Sequence, residues 1–263
     1  MTEGNTEGTR ADARTGARAA QGGPLSRKRF LAGTAAAVAG GALVAVPGVA
    51  RAHTTPEPPR DIDVLNYALT LEHLEYAFYR DGLDKFGERR FENADVFDGL
   101  GRYLRRNAHE NFVRIREHEE THVETLESVI KSLGGKPVPE ATYNFEKTAF
   151  ASVAKFVQVA QFLENTGVSA YDGAIAHIEA AKLLTASATI ATVEARHAAY
   201  LNLLNRDVPF PKAFDEPAAP RAICRAVMAE NGGFIVSAPR PYGPYKSLDA
   251  LCAKLPTTVT PSS

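Results

Sequence analysis

Four stretches of this chain read as helices, and each sets a carboxylate in the middle of its own apolar stripe. In the second stretch, steps of three and four from Ile115 reach Glu119 and His122 before Leu126, Ile130 and Leu133. In the fourth, Ile190, Leu201 and Leu204 define the stripe, and Glu194 and His197 fall on it. Both pairs are Glu-x-x-His, a spacing that puts two side chains on one helix face a turn apart. The first stretch carries Glu72 among Leu65, Ala68, Tyr76 and Tyr79, and the third carries Glu164 among Val153, Val157, Ala160, Tyr171 and Ile175. A buried ionised carboxylate is strongly unfavourable unless it is paired or bound to a metal. Four such acids meeting two imidazoles therefore call for cations, and two divalent ions, iron or manganese, satisfy that ligand set.

The order Glu, Glu-x-x-His, Glu, Glu-x-x-His is a weak internal repeat, reinforced by a Tyr seven residues after each lone acid (Tyr79 and Tyr171). Residue periodicity predicts helices over about 61–80, 105–133, 147–177 and 183–205. Asp81-Gly82 ends the first, Gly134-Gly135 with Pro137 and Pro139 ends the second, and Pro209 and Pro211 follow the fourth. Residues 83–104 read as a long connection. The fold class expected is all-α, an antiparallel four-helix bundle over 61–205, preceded by a Pro-rich linker at 53–60. A Pro- and Gly-rich extension follows at 206–263, with one short helical stretch near 221–230. The extension holds both cysteines, Cys224 and Cys252, which read as a disulfide closing a segment with no helical core of its own.

The charge run Glu117-His118-Glu119-Glu120 also fits a solvated helix face, but Glu117, Glu120 and Glu124 project away from the stripe and Glu119 does not. Glu75 lies one turn beyond Glu72 and also faces apolar neighbours. The repeat selects Glu72, because the position matching Glu75 in the third helix is Gly167. Glu75 then reads as an acid that supports the ligands or as an alternate ligand. Tyr79 and Tyr171 read as core aromatics whose hydroxyls bond a ligand carboxylate. His73, His109, His118 and His177 lie off the stripe centres or far from the acids and read as surface or supporting residues.

Residues 1–52 are a different kind of polypeptide. They carry seven Lys/Arg against three Asp/Glu, which leaves 23 against 28 in the rest of a chain whose totals are 30 and 31. The segment up to residue 24 has almost no large apolar side chain. Ser26-Arg27-Lys28-Arg29-Phe30-Leu31 then precedes an Ala/Gly/Val-rich run ending at Pro47, and Ala50-Arg51-Ala52 follows. Basic region, apolar region and A-x-A site are the parts of a cleaved export signal. The apolar run is shorter than the ~20 residues a membrane-spanning helix needs. Its basic part resembles a twin-arginine signal, with Lys28 where that pattern has its second arginine. The resemblance implies that the twin-arginine machinery is a partner, that the mature chain starts at His53, and that the protein is exported after folding. The acidic balance of the remaining residues argues against nucleic acid and anionic membrane surfaces as partners.

The segments Leu71-Glu72-His73-Leu74-Glu75-Tyr76-Ala77-Phe78-Tyr79 and Val193-Glu194-Ala195-Arg196-His197 resemble the ferritin-like superfamily, in particular exported ferritin-like domain proteins related to desiccation-associated proteins. The resemblance covers about Asp61 to Asn205. It implies that Glu119, His122, Glu194 and His197 are metal ligands, that Glu72 and Glu164 are the lone acids of the other two helices, and that these acids bridge or chelate two metal ions per chain. Three functions follow as expectations. The first is redox chemistry on O2 or peroxide, of ferroxidase, peroxidase or manganese-catalase type. The second is non-catalytic holding of iron or manganese, without cage assembly, since the Pro-rich tail replaces the fifth helix of the cage-forming relatives. The third is a structural, stress-associated protein whose site fixes the bundle.

Overall fold

The computed structural model describes residues 61–146 and 148–260; the segments read above as export signal and linker lie outside them. Four long helices carry the fold: α1 (Asp61–Lys85), α3 (Arg102–Ser132), α4 (Val153–Ile175) and α5 (Ala181–Leu204). Between α1 and α3 lie the short α2 (Glu88–Glu92) and a 3-10 turn at Asp95–Phe97. After α5 come α6 (Pro220–Ala226), a 3-10 turn at Ala229–Asn231 and α7 (Leu248–Lys254). A two-stranded antiparallel ribbon joins β1 (Thr142–Tyr143) to β2 (Ile235–Ser237). The protein is an all-α bundle with this ribbon as its one small sheet among the described residues. No described helix is long and apolar enough to cross a membrane.

Side-chain contacts fix the helix directions. Asn66 near the start of α1 donates to Lys136 O, just past the end of α3, while Tyr79 further along α1 meets Phe112 in the first half of α3. In the same way Asn205 after α5 donates to Val157 O early in α4. Tyr79 reaches Glu164 of α4, and Tyr171, later in α4, reaches back to Glu72. All neighbouring pairs are thus antiparallel, whereas α3 and α4, consecutive in the chain, run in the same direction across a diagonal. The connection over 133–152 must therefore cross the end of the bundle, which a short turn cannot do. Asn66 anchors that crossover, its side-chain oxygen accepting from Val138 N at 2.8 Å. Asp61 accepts from the backbone N–H groups of Glu179 and Ala180 and so supplies a carboxylate at the N-terminus of α5.

Two expected boundaries move for packing reasons. α1 continues through Gly82 to Lys85, because this glycine makes room for a ring: a Cβ there would lie 2.3 Å from Phe156. α4 begins at Val153, where the Ser152 hydroxyl accepts from Lys155 N and caps it. The preceding residues, expected to be helical, turn inward instead, burying Phe145 and Phe150. The connection between α1 and α3 is likewise part of the core, with Phe91 and Phe97 fully covered. Phe78, Phe86, Phe112, Phe150 and Phe156 complete an aromatic cluster at that end of the bundle.

The C-terminal extension is more integrated than its composition suggests. The Tyr245 hydroxyl donates to Asp63 at 2.6 Å, and Tyr242 donates to Thr70 at 3.2 Å. β2 pairs with β1 of the crossover, and a Cys224–Cys252 disulfide joins α6 to α7. Ala218 N donates to Ser169 O at 2.9 Å, where the extension lies directly on α4. Gly173 permits this approach, since a Cβ there would stand 1.8 Å from Ala218 O. Gly173→Ala is expected to push the extension off α4 and destabilise the protein by about 1–3 kcal/mol, the usual cost of overpacking. A denaturation midpoint equal to wild type would show that this contact is not close in solution.

Candidate metal centre

The six sequence-predicted residues come together midway along the bundle. Glu72 comes from α1, Glu119 and His122 from α3, Glu164 from α4, and Glu194 and His197 from α5. All are buried, and the four carboxylates have no exposed surface. Their donor atoms form two groups, each with its atoms within 4.8 Å of one another. One group is Glu72, Glu119, His122 and Glu194; the other is Glu119, Glu164, Glu194 and His197. Glu119 and Glu194 belong to both. The Glu-x-x-His spacing produces this overlap: on each of two facing helices it sets one acid at the shared centre and one imidazole a turn away.

Too many oxygens converge on each ring for hydrogen bonds to explain. His122 Nδ1 stands 3.1 Å from Glu72 Oε2, 3.1 Å from Glu119 Oε2 and 3.2 Å from Glu194 Oε1. His197 Nδ1 stands 3.1 Å from Glu119 Oε1 and 3.2 Å from Glu164 Oε2. One ring nitrogen has one hydrogen or one lone pair to offer. Glu119 Oε1 and Glu194 Oε1 are accordingly near an imidazole without being aligned to bond it, and Glu194 Oε2 also lacks a partner. Unpartnered carboxylate oxygens at complete burial are what a donor set for cations leaves when protein bonds alone are counted.

The lone acids are held by crossed hydrogen bonds. Tyr79 of α1 donates to Glu164 Oε1 of α4 at 2.6 Å, and Tyr171 of α4 donates to Glu72 Oε1 of α1. Each leaves the second oxygen of its acid, Glu164 Oε2 or Glu72 Oε2, facing an imidazole. Burial pushes both phenols well above their ordinary range, and the neighbouring carboxylates add to it, so both remain protonated donors. Glu75 is buried just outside the two groups. Its Oε1 and Glu194 Oε2 occupy the space over Gly167, where a Cβ would lie 3.2 Å and 3.4 Å from them. Burial and the surrounding carboxylates hold Glu75 well above the usual carboxylate range, which favours its neutral form.

The other histidines divide. His73 is buried and meets Val138 O at 3.3 Å, His109 packs edge-on against Phe91, and His177 meets Thr258 O at 3.0 Å. His118, exposed on α3, reaches the cluster from outside: its Nδ1 lies 2.9 Å from His197 Nε2, the two rings edge to edge in nearly one plane. The stripe pattern does not reveal this contact, since it joins two helices; only the proximity of His118 to Glu119 in the sequence hints at it. Burial and the two nearby imidazoles lower the His118 pKa, which leaves this ring neutral and able to accept a hydrogen bond.

Comparison with known proteins decides the family. Residues 60–206 match the ferritin-like domain, more than half of the chain and the whole of the four-helix bundle. The chain belongs to the ferritin-like domain family. Protein rds1 of Schizosaccharomyces pombe is 29% identical to it over 182 residues. The match takes in 68% of this chain but only 40% of rds1, so this ferritin-like protein spans less than half the length of that relative. The buried carboxylate–imidazole cluster in this ferritin-like bundle is compatible with a metal site.

Without metal, the cluster must hold protons. Burial opposes charge on both rings, yet hydrogen bonds and charge from Glu119 and Glu72 raise the His122 pKa to about 10, and Glu164 and Glu119 raise that of His197 to about 10. Burial pushes Glu119 up to about 7, against the downward pull of both imidazoles, and carries Glu194 well above the ordinary range. Glu72 moves the other way: burial acts upward and is the largest single influence, but the hydrogen bond and charge of His122, with the Glu119 and Tyr171 contacts, together outweigh it and lower the pKa. A group whose pKa is raised by folding stabilises the fold below its unfolded value and loses that contribution as pH rises through the folded value. The metal-free protein is therefore expected to melt at progressively lower temperature from about pH 5 to pH 10, with Glu119 and then the imidazoles deprotonating. Below pH 4.5, protonation of Glu72 reverses the slope. A melting temperature flat from pH 5 to pH 10 in metal-free protein would show that the six groups are not mutually buried.

Proposed function

We propose that the cluster is a dinuclear carboxylate centre for iron or manganese, two ions per chain, and that the protein uses it for redox chemistry on O2 or peroxide in metal handling or stress protection. The observation that carries this reading is the pair of overlapping donor groups sharing Glu119 and Glu194, whose buried oxygens lack protein partners. In this reading Glu72, Glu119, His122 and Glu194 would hold one ion, and Glu119, Glu164, Glu194 and His197 would hold the other. The donor set, four carboxylates and two imidazoles, matches what such ions accept in bundle cores. Bound, a redox-active pair supplies the electrons that one-electron side-chain chemistry lacks.

The chain's own contribution is positional. Tyr79 and Tyr171 hold the lone acids in fixed rotamers, each with one oxygen turned inward. Gly167 leaves space between α4 and the centre, and Glu75 Oε1 and Glu194 Oε2 occupy it. The aromatic cluster closes one end of the bundle against water. Export as a setting is supported by the Cys224–Cys252 disulfide, a bond that persists in oxidising compartments. A purely structural use of the ions is favoured by one observation: the acids are fully buried, so neutralising them strengthens the fold whatever chemistry follows.

Elemental analysis tests the centre. Purified protein reconstituted anaerobically with iron or manganese is expected to hold about two ions per chain, and Glu119→Ala, Glu194→Ala double-mutant protein to hold none. His197→Ala is expected to reduce O2- or peroxide-dependent turnover by at least about 100-fold. No metal in folded wild-type protein would refute the ligand assignment. Two ions without turnover would refute the redox reading and leave a holding or structural role.

A further inference from the structure

The two halves of the centre match in their candidate ligand acids and tyrosines; they differ in Glu75, whose counterpart in the repeat is Gly167, and behind their imidazoles. His197 Nε2 lies 2.9 Å from His118 Nδ1, with the ring centroids 5.1 Å apart and the planes 12° apart, so the two rings meet edge to edge in nearly one plane. His122 has no such partner: its contacts among the described residues are all made through Nδ1. The difference is written in the sequence. The repeat that lays Glu119 on Glu194 lays His118 on Val193, whose side chain can accept no hydrogen bond.

An imidazole that turns its Nδ1 lone pair to a cation carries its hydrogen on Nε2. An acceptor placed on that hydrogen fixes the tautomer, holds the ring in plane and makes the opposite nitrogen a better ligand. His118 supplies that acceptor to His197, and no described residue supplies it to His122. The crossed tyrosine bonds do not offset this, because both lone acids receive one.

We propose that the two ion positions are inequivalent: the one bounded by Glu119, Glu164, Glu194 and His197 fills first and binds more tightly, with His118 as its positioning residue, and the one bounded by Glu72, Glu119, His122 and Glu194 fills second. This rests on the dinuclear reading above. It assigns His118 a role in metal loading that its exposed place in a charge run conceals.

The test is a titration of the metal-free full-length protein with Mn(II), followed by calorimetry and electron paramagnetic resonance. Two steps are expected, with an isolated-ion signal at one equivalent giving way to a coupled pair at two. Glu164→Gln is expected to remove the tight step and Glu72→Gln the weak one. His118→Phe keeps an aromatic ring but no acceptor, and is expected to weaken the tight step about 10- to 100-fold. His118→Gln retains an acceptor and is expected to preserve it. Equal weakening by His118→Phe and His118→Gln, or none by either, would overturn the proposal, as would two equivalents of Mn(II) binding with one affinity. In those cases the dinuclear centre itself stands. Absence of Mn(II) binding by correctly folded wild-type protein would overturn both.

Discussion

Six ionisable side chains share one buried volume, and the rest of the structure is arranged around that condition. Taking a single carboxylate out of water costs several kcal/mol even after relaxation. Here four meet, with a fifth, Glu75, beside them. Two devices keep this compatible with folding. Protons redistribute: His122 and His197 are shifted toward the charged form, Glu194 and Glu75 toward the neutral form, and Glu72 toward the ionised form. The remaining oxygens face a common centre where cations can replace those protons. Proton and metal loading are thus alternative solutions to the same electrostatic problem, and metal uptake must release protons.

This also accounts for the bundle's construction around the centre. An aromatic cluster at one end and the Tyr242 and Tyr245 contacts of the C-terminal extension supply apolar burial and hydrogen bonds away from the acids. The crossover over 133–152 brings α3 and α4 into the same direction, which lets α1 and α4, and α3 and α5, face each other antiparallel. Only then can Tyr79 and Tyr171 reach across to the acid of the opposite helix. The disulfide ties α6 to α7 within the extension, and the Ala218 N–Ser169 O bond, with the close approach at Gly173, lays the extension on α4.

Much of this was legible in the sequence because the acids violate helix periodicity. A stripe that runs Ile115, Glu119, His122, Leu126 has no bland explanation once two helices show it. Chain direction was less legible: periodicity gives helices but not which way a connection crosses. The extents of α1 and α4 depended on Gly82 and Ser152, one serving ring packing and the other capping, and composition alone reads Gly82 as a stop. The aromatic residues over 83–104 and the tyrosines of the extension signalled burial, but short irregular segments have no period by which to place them. His118 was hidden for a related reason, since its partner lies 79 residues away on another helix. Gly167 was visible as a gap in the repeat, and the structure gives the reason: Glu75 and Glu194 use the room.

The sharing of Glu194 by both donor groups bears on when the centre can exist. Glu194 lies on α5, the last of the four long helices to leave the ribosome, and neither group is complete without it. A nascent chain ending before α5 exposes acids and an imidazole, but offers no enclosed pocket in which an ion is surrounded. Ion selection therefore belongs to the finished bundle rather than to its intermediates. A half-synthesised chain has little means of trapping the wrong metal, and the compartment in which the last helix docks sets which ions are on offer.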